Sequence, residues 1–593
     1  MNENNEKISL NYIFKLLLHN RKALIIGQIL TIIAIMVSVP IPLLLPLLVD
    51  EVLLNKPDFF VNNIDKFFGS GNAIYYIVIV TIIVLFLRLV YFIFGVAITK
   101  IFTKISKYVT FKIRERLLNH LEHVNMNEYE SLGSGSISAN LITDVNTLDN
   151  FIVSIASKFI ASILTLIAVA IVIITINPVL GLMILFIQPI IMILSKKIAK
   201  KTGVLKQEEN KAIEVFQNNV NETLDLFGQI KASNKEKYFF DDSIKKAQNI
   251  QKTSNEFNYK SVAYERFSFT IFLIAFEIFR AVGLILVAYS DLSIGLMFAM
   301  FGYIWFIMTP VQDILTIQYA YASASAAINR INKILDLKCE KNGTEELNKS
   351  SEKIDISIQN LNFSYKEDKD TLKDVSFDIK SGDKVAIIGA SGSGKTTIAH
   401  LISGFYSKNS GDILYNNISI DNLSRQSLRE NIFLVLQMPI LFNNTLKFNI
   451  TMGNENISDE QIYKALKIAQ LYDTVEKMSD KLETIVGKHG VRLSGGQRQR
   501  LSIARMIIAN PAVVIFDEST SALDVHTEVK LFNDLEEFLK EKTVITIAHR
   551  LSTVKNAHMI YVLEDGKLVQ SGNHKELEEK EGHYLEFVKN QLI

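Results

Sequence analysis

The sequence predicts a protein in two parts: an α-helical membrane domain with six spans, followed by an α/β domain built on a parallel sheet. Of its 593 residues, 49% are hydrophobic and 21% are charged. The mean hydropathy is +0.21, which is high for a soluble chain. Long uncharged stretches lie almost entirely in the first half. In the second half, short β-branched runs alternate with helical segments, a pattern typical of a parallel sheet.

Composition excludes several classes of protein. Disordered chains have few apolar residues and a large net charge, whereas this chain carries 63 Lys and Arg against 62 Asp and Glu. The balance leaves no basic excess, so no nucleic-acid partner is expected. Cys339 is the one cysteine of the sequence, which excludes an intrachain disulfide and a multi-cysteine metal site.

Uncharged stretches locate the six spans, because about 20 apolar residues at about 1.5 Å each cross the hydrocarbon. The first stretch, Ala23–Val49, is interrupted by three prolines. The stretch Phe159–Ser195 is too long for one span and contains Asn177-Pro178, which predicts two spans joined by a tight turn. The fifth and sixth spans meet around Asp291. The predicted spans are 23–49, 72–98, two within 159–195, 267–289 and 292–317.

Basic residues set the predicted orientation. They are concentrated in the two long segments that follow the second and fourth spans, whereas the first external loop, 50–71, contains only Lys56 and Lys66. The positive-inside rule then predicts a multi-pass protein of the cell membrane, with both long segments, both termini and the α/β domain in the cytoplasm. Amphipathic periodicity in the long segments predicts that the spans continue as helices into the cytoplasm.

The predicted domains follow in chain order. Ile8–Leu18 has an apolar face, so residues 1–22 are expected to form a helix at the cytoplasmic membrane surface. Residues 23–335 are the six-helix membrane domain with its cytoplasmic extensions. A polar stretch with Asn342-Gly343 makes 336–353 a linker, and 354–593 are the α/β domain.

A glycine-rich motif follows the predicted strand 384–388 and precedes a helical stretch. It matches the phosphate-binding pattern G-x-x-x-x-G-K-[ST] in the strand–loop–helix setting that the pattern requires. Its glycines let backbone N–H groups converge on phosphates. Lys395 would reach the β- and γ-phosphates, and the Thr396 hydroxyl would hold Mg²⁺. The motif consists of Gly389, Ala390, Ser391, Gly392, Ser393, Gly394, Lys395, Thr396 and Thr397.

Two acidic residues, Asp517 and Glu518, end the apolar strand that begins at Val513. Ligands bind at the carboxyl ends of strands in open α/β sheets. A ligand site would therefore explain why two carboxylates follow a buried strand. Asp517 would be the Mg²⁺ partner, through water, and Glu518 the base that polarises the attacking water. Solvated strand-end acids are the alternative, which the phosphate loop disfavours.

A third motif, Leu493-Ser494-Gly495-Gly496-Gln497, opens a helix shortly before Asp517. A phosphate loop, this motif and the Asp-Glu pair, in that order, resemble the ATP-binding-cassette (ABC) domain. The resemblance implies further site residues. They are Tyr365, the aromatic that stacks on adenine; Gln437, which senses Mg²⁺ and contacts the membrane domain; Ser521-Ala522-Leu523-Asp524, the loop that crosses the dimer interface; and His549, the switch histidine at the γ-phosphate.

With six spans and one C-terminal cassette, nearly the whole chain resembles a half-transporter of the ABC exporter type. The resemblance implies ATP and Mg²⁺ as cofactors and a homodimer, because the motif 493–497 of one cassette completes the ATP site of another. A heterodimer with a related chain stays open. ATP would join the cassettes, hydrolysis would release them, and the helical tips 131–144 and 221–229 would carry the motion to the spans. An amphipathic drug, lipid or peptide would be exported or flipped from the cytoplasmic side.

Two positions depart from the family pattern. Lys488 stands where many exporters carry a glutamate, which reverses a charge at a surface that meets the membrane-domain helices. Ser519 stands where alanine is usual, and no consequence is expected.

Charged residues within or beside the spans allow two interpretations. They could face a substrate cavity, or they could form structural ion pairs, as the i,i+3 spacing of Glu277 and Arg280 permits. The residues are Arg88, Lys158, Glu277, Arg280 and Asp313.

Other functions are weighed against the same residues. An ATP-gated channel or regulator on this fold is the alternative, which the intact Glu518 disfavours. Six spans disfavour a soluble chromosome-type cassette ATPase. An importer is disfavoured because spans and cassette are fused and no substrate-binding domain is present.

Overall fold

The computed structural model of the chain describes residues 7–54, 56, 59–347, 353–365, 370–487, 491, 493–548 and 551–591. It divides into two compact units, Met1–Asn119 with Gly135–Asp336, and His120–Ser134 with Leu337–Ile593. The predicted fold classes are confirmed, since the first unit is helical and the second contains a parallel sheet flanked by helices. The short piece 120–134, which lies inside the predicted membrane domain, packs with the second unit.

The first unit consists of long helices, because a chain in hydrocarbon must satisfy each backbone N–H and C=O within its own segment. Among the described residues, five helical stretches are long and apolar enough to cross a membrane: 21–53, 73–121, 134–176, 236–289 and 294–314. The α-helices up to residue 335 are α1 (Leu10–His19), α2 (Arg21–Ser38), α3 (Ile41–Leu48), α4 (Phe59–Phe68), α5 (Ala73–Leu121), α6 (Met126–Leu132), α7 (Ser134–Ala139), α8 (Val145–Val153), α9 (Ile160–Ile176), α10 (Pro178–Asp225), α11 (Phe227–Ala232), α12 (Glu236–Tyr289) and α13 (Ile294–Leu335). Short π-helical stretches cover Val49–Leu53, Asn140–Asp144 and Ser154–Phe159.

One of the six predicted spans is interrupted in the structure, and one stays untested. The first predicted span is broken between α2 and α3, because Pro40 and Pro42 cannot donate the backbone hydrogen bonds of a continuous helix. The fourth lies on α10, but most side chains of 184–200 lie outside the described residues, so its membrane crossing stays a prediction. The predicted turn at Asn177-Pro178 is confirmed, and Asn177 Oδ1 accepts hydrogen bonds from the N–H of Val179 and Leu180 at 3.0 and 3.2 Å.

Two helices are much longer than a membrane is thick. α5 and α12 contain 49 and 54 residues, so they extend about 73 and 81 Å, more than twice the roughly 30 Å of hydrocarbon. Beyond the apolar part of α5, the buried residues recur every fourth position, at Ile105, Val109, Ile113 and Leu117. This spacing puts them on one face, as the amphipathic pattern of the sequence predicts.

The second unit contains two larger sheets. In the first, the strand order is β12-β11-β3-β10-β9-β6, with every neighbouring pair parallel except β11 and β12, and in the second it is β2-β1-β4-β5. The strands are β1 (Ile356–Phe363), β2 (Leu372–Ile379), β3 (Lys384–Gly389), β4 (Ser410–Tyr415), β5 (Ile418–Ser419), β6 (Ile432–Val435), β7 (Asn444–Thr445), β8 (Ile485–Val486), β9 (Val513–Asp517), β10 (Thr543–Ile547), β11 (Met559–Glu564) and β12 (Lys567–Gly572). The helices are α14 (Lys395–Ile402), α15 (Arg425–Asn431), α16 (Leu446–Thr451), α17 (Asp459–Ile468), α18 (Tyr472–Glu476), α19 (Gly495–Ala509), α20 (Val525–Leu539), α21 (Leu551–Val554), α22 (His574–Glu578) and α23 (His583–Gln591), with a 3₁₀ turn at Lys481–Glu483.

Parallel pairing decides where the polar strand ends lie. Ile547 of β10 is aligned with Asp517 of β9 on one side and with Ile387 of β3 on the other. The carboxyl ends of these strands therefore meet at one edge of the sheet. The loop after Gly389 and the acids after Phe516 lie at that edge.

An ion pair with a buried carboxylate holds the carboxyl-terminal part of α13 in the first unit. The Arg330 guanidinium donates to Asp144, with Nη2 2.6 Å from Oδ1 and Nε 3.0 Å from Oδ2. Asp144 is 4% exposed, whereas the Arg330 side chain is half exposed. Two parallel hydrogen bonds satisfy a carboxylate that would otherwise be buried without a partner.

We predict that Asp144→Ala lowers the free energy of unfolding of the first unit by about 1–3 kcal/mol, because charge-assisted hydrogen bonds to a buried carboxylate are lost. Thermal unfolding of the purified protein in detergent measures the effect. Glu115→Ala is the matched control, since the Lys112–Glu115 pair has the same 2.6 Å distance but side chains 35% and 40% exposed. The control should change stability by less than about 1 kcal/mol. Equal losses in the two variants would contradict the assignment.

Candidate functional site

The loop between β3 and α14 has a backbone that glycine alone allows at two positions. Gly389 and Gly394 have φ of 151° and 101°, in the region that L side chains rarely adopt. A Cβ on Gly389 would lie 2.1 Å from the Leu563 carbonyl oxygen. Gly394 caps the amino end of α14, so the loop ends at a helix N-terminus whose free N–H groups favour an anion. The predicted phosphate loop therefore has the strand–loop–helix form that the motif requires.

The Lys395 side chain folds back over this loop. Its Nζ donates to the carbonyl oxygens of Gly389 and Ala390 at 3.0 and 2.9 Å. The residue is 6% exposed. Burial lowers the pKa of the Lys395 ammonium, and the carboxylates of Glu518 and Asp517 oppose that shift. A phosphate group in the loop would act in the same direction as these carboxylates and hold the ammonium charged.

The acids at the end of β9 meet the start of α14. Thr396 Oγ1 donates to Asp517 Oδ1 at 3.2 Å, and Asp517 is 3% exposed. The next residue, Glu518, has a left-handed backbone with φ of 45°, and its Oε2 accepts a hydrogen bond from Gln437 Nε2 at 2.7 Å. A non-glycine residue in this conformation is sparsely populated and often marks a functional site. The structure thus brings together the phosphate loop, both acids and Gln437.

The donor set at this position fits Mg²⁺ bound together with a nucleotide. Mg²⁺ prefers oxygen ligands, keeps several waters, and binds such sites through one or two carboxylates and substrate phosphates. The Thr396 hydroxyl, the Asp517 carboxylate and the Gln437 amide supply oxygen atoms without a preformed cage. In the described part of the chain, no group of three or more His, Cys, Asp or Glu side chains could hold a metal by itself.

Tyr365 lies beside the helix that follows the loop. Its hydroxyl is 3.1 Å from Thr397 Oγ1. The ring is edge-on to Phe363 and Tyr406, with centroid distances of 4.9 and 5.3 Å. Burial raises the pKa of the Tyr365 hydroxyl, which keeps it protonated. The residue is 38% exposed, as a side chain that stacks on a planar base must be before the base binds.

The motif 493–497 forms the amino end of α19. Ser494 Oγ accepts from Gln497 N–H at 3.2 Å, and Gln497 Oε1 accepts from Ser494 N–H at 2.8 Å, which makes a capping box. The helix that the sequence predicts after this motif is confirmed, and it runs from Gly495 to Ala509. No hydrogen bond joins Leu493 through Gln497 to the phosphate loop among the described residues. Ser494 is exposed.

The loop 521–524 lies against this motif. A Cβ on Gly496 would lie 2.9 Å from Leu523 Cδ2 and 3.0 Å from the Ala522 carbonyl oxygen, so glycine permits the close approach. Asp524 is exposed and caps α20 by accepting from Thr527 N–H at 2.9 Å. Hydrogen bonds from Thr527 lower the pKa of the Asp524 carboxyl.

Sequence reasoning missed Gln499, which joins three of these elements. It is 3% exposed, and its Nε2 donates to the Gln437 carbonyl oxygen at 3.0 Å and to Ser521 Oγ at 3.2 Å. Its Oε1 accepts from Ala522 N–H at 3.1 Å. The only signal in the sequence is a polar residue two positions after the motif, and this spacing does not reveal its partners.

His549 and Lys488 lie outside the described residues, so their roles stay predictions. Ser519 is 2% exposed, and its hydroxyl has no hydrogen-bond partner among the described residues.

Comparison with known proteins identifies the same two parts. Residues 24–311 match the ABC transporter transmembrane region, and residues 372–521 match the ABC transporter domain. An ATP-dependent lipid A-core flippase of Legionella pneumophila (strain Paris) is 31% identical over 497 residues, which cover 82% of this chain and 83% of the relative. The uncharacterized ABC transporter ATP-binding protein YknV of Bacillus subtilis (strain 168) is 31% identical over 503 residues, covering 82% and 81%.

The fold has a solved counterpart. The structure of a bacterial Atm1-family ABC exporter with ATP bound superposes with a TM-score of 0.85, covering 97% of this chain and 99% of that one at 21% identity. Relatives above 30% identity span four fifths of the chain, and the site contains the phosphate loop and strand-end acids of the family. The chain therefore belongs to the ABC transporters, the family of ATPases that couple ATP hydrolysis to transport across membranes.

Proposed function

We propose that the chain is half of a homodimeric exporter that uses ATP and Mg²⁺ to move an amphipathic substrate from the cytoplasmic side of the cell membrane. The observation that carries the proposal is the hydrogen bond from Thr396 to Asp517, with the Gln437–Glu518 bond beside it. These contacts join the phosphate loop to an intact set of acids in a chain that also has long apolar helices. The flippase relatives support a lipid or lipid-like substrate.

Each site residue has a role in this proposal. The loop N–H groups and Lys395 bind the phosphates, and Tyr365 stacks on the adenine. Thr396 and Asp517 hold Mg²⁺, which neutralises phosphate charge when bound. Glu518 accepts the proton of the attacking water, and the Gln437 amide, which donates to its Oε2, orients the carboxylate. His549 would contact the γ-phosphate.

The exposed position of the motif 493–497 supports a second copy. Ser494 and Asp524 are exposed on neighbouring loops, and Ser494 has no hydrogen bond to the phosphate loop among the described residues. If the ATP site at the phosphate loop requires the motif 493–497, a second chain must supply that motif. Because one chain supplies one motif and one phosphate loop, two copies give two equivalent sites.

The substrate path is proposed to lie among the apolar helices. Glu277 and Arg280 on α12 form an ion pair at 2.6 Å, and both side chains are about half exposed in the single chain. Within one to two turns along α12, Phe272 and Phe276 pack edge-on against Trp305 of α13, with ring centroids 5.6 and 5.9 Å apart. Burying a charge in hydrocarbon is costly, so a partner charge or a wet cavity must compensate it.

Glu518→Gln should lower ATP hydrolysis at least about 100-fold while ATP binding persists, because the amide cannot take a proton from water. Steady-state hydrolysis and equilibrium ATP binding in lipid nanodiscs test this. Lys395→Ala should instead weaken binding itself, since a phosphate contact is lost. Glu537→Gln, an exposed acid on α20, is the control and should leave both values unchanged. Near-normal ATP hydrolysis by the Glu518→Gln variant would contradict the assignment of Glu518 as the general base.

Ser494→Arg and Lys395→Ala should each inactivate the homodimer, because each damages both sites. Co-expressed, they form mixed dimers with one doubly damaged site and one intact site. We expect a particle mass of two chains, together with partial recovery of hydrolysis in the mixed dimer. A particle of one chain that hydrolyses ATP would overturn the proposed homodimer.

Arg280→Ala should strand the Glu277 charge and lower the thermal stability of the protein in lipid, with a cost of up to about 2.5–3.5 kcal/mol. The double variant Glu277→Ala with Arg280→Ala should recover most of the lost thermal stability. The KM for ATP should not change in either variant. Lys260→Ala is the control, because the Lys260–Glu256 pair on the same helix is similarly exposed but lies outside the predicted span. Unchanged stability with lost substrate stimulation would favour a substrate contact instead.

A further inference from the structure

The segment 120–134 is held on the second unit by its own set of contacts. Asn125 N–H donates to the Lys338 carbonyl oxygen at 3.0 Å, and Glu340 N–H donates to that of His123 at 2.8 Å. Asn125 Nδ2 donates to Ser407 Oγ at 3.0 Å. The same asparagine caps α6 by accepting from Asn127 N–H. The helix that carries Glu130 is therefore anchored at its start.

Tyr406 connects this helix to the nucleotide site. Its hydroxyl donates to Glu130 Oε2 at 2.9 Å, and the residue is 7% exposed. A buried hydroxyl needs a partner, and Glu130 supplies it from a segment remote in sequence. Burial and this hydrogen bond raise the pKa of the Tyr406 hydroxyl, so it stays a donor.

The Tyr406 ring packs against Tyr365 and against α14, the helix that follows the phosphate loop. It meets Tyr365 edge-on with centroids 5.3 Å apart, and it lies 5.5 Å from the His400 ring at 37°. His400 belongs to α14, the helix that begins at the phosphate loop. Tyr365 is also held by Phe363 and by its hydroxyl contact with Thr397. Of these neighbours, Tyr406 is the one that bonds to the segment 120–134.

We propose that Tyr406 and Glu130 are positioning residues for nucleotide binding: the Glu130 carboxylate orients the Tyr406 ring, which holds Tyr365 in place for the purine base. The proposal rests on the assignment of Tyr365 to the adenine. Linkage makes the effect reciprocal, so bound nucleotide strengthens the docking of α6 by the same factor that docked α6 strengthens nucleotide binding. Purine affinity then depends on a helix that is not part of the cassette motifs.

The test measures ADP binding by calorimetry to the full-length protein in lipid nanodiscs, with pyrophosphate as a probe that lacks the base. Tyr406→Phe and Glu130→Ala should each raise the Kd for ADP about threefold to tenfold and leave the Kd for pyrophosphate unchanged. Glu130→Gln keeps an acceptor for the tyrosine hydroxyl and should bind ADP within about twofold of the parent. Combining Tyr406→Phe with Glu130→Ala should add nothing to either single change, because both remove one interaction.

Two controls separate positioning from general damage. Tyr584→Phe removes another buried tyrosine hydroxyl, bonded to His574 at 2.6 Å, and should bind ADP normally. Glu128→Ala removes a carboxylate from the same helix, α6, and should also bind normally. Unchanged ADP affinity in Tyr406→Phe and Glu130→Ala, or equal weakening of pyrophosphate, overturns the proposal. Absent hydrolysis by the parent protein would instead contradict the ATPase function, because ADP binding requires no turnover.

Discussion

Parallel pairing of β3, β10 and β9 is the constraint on which the nucleotide site depends. Once Ile547 is aligned with Ile387 and with Asp517, the loop after Gly389 and the acids after Phe516 must emerge at one edge. The Thr396–Asp517 hydrogen bond then joins the helix after this loop directly to the end of β9. Because successive side chains alternate faces, a shift of one residue along either strand would move the wrong side chain to this edge.

A different constraint governs the helical unit. Hydrocarbon offers no partner for backbone N–H and C=O groups, so the chain there is helical. The helices are interrupted where the sequence prevents continuous backbone hydrogen bonding. Pro40 and Pro42 separate α2 from α3, and Asn177-Pro178 separates α9 from α10. Gly181 lets the second pair approach closely, since a Cβ there would lie 2.8 Å from the Ile174 side chain.

Hydrogen-bonded polar side chains connect the motifs of the second unit. Gln437 contacts Glu518 through its side chain and Gln499 through its carbonyl oxygen, while Gln499 bonds to the loop 521–522. Two residues, Gln437 and Gln499, thereby link Glu518, the proposed base, to the loop expected to face a second copy. Gln499 is 3% exposed, so independent movement of either loop would leave a buried amide without its partners, which favours concerted rearrangement.

Local patterns in the sequence determined the two-part architecture and the chemistry of the site. Uncharged length predicts apolar helices, and glycine spacing with Lys395 predicts the phosphate loop, because these features depend on neighbours along the chain. Tertiary structure decided the rest. Sequence spacing does not reveal that Gln499 bonds to Gln437, that Tyr406 lies between Tyr365 and Glu130, or that Asp144 is buried against Arg330. Each of these contacts joins residues dozens to hundreds of positions apart, and their distance is set by the packing of whole helices and strands.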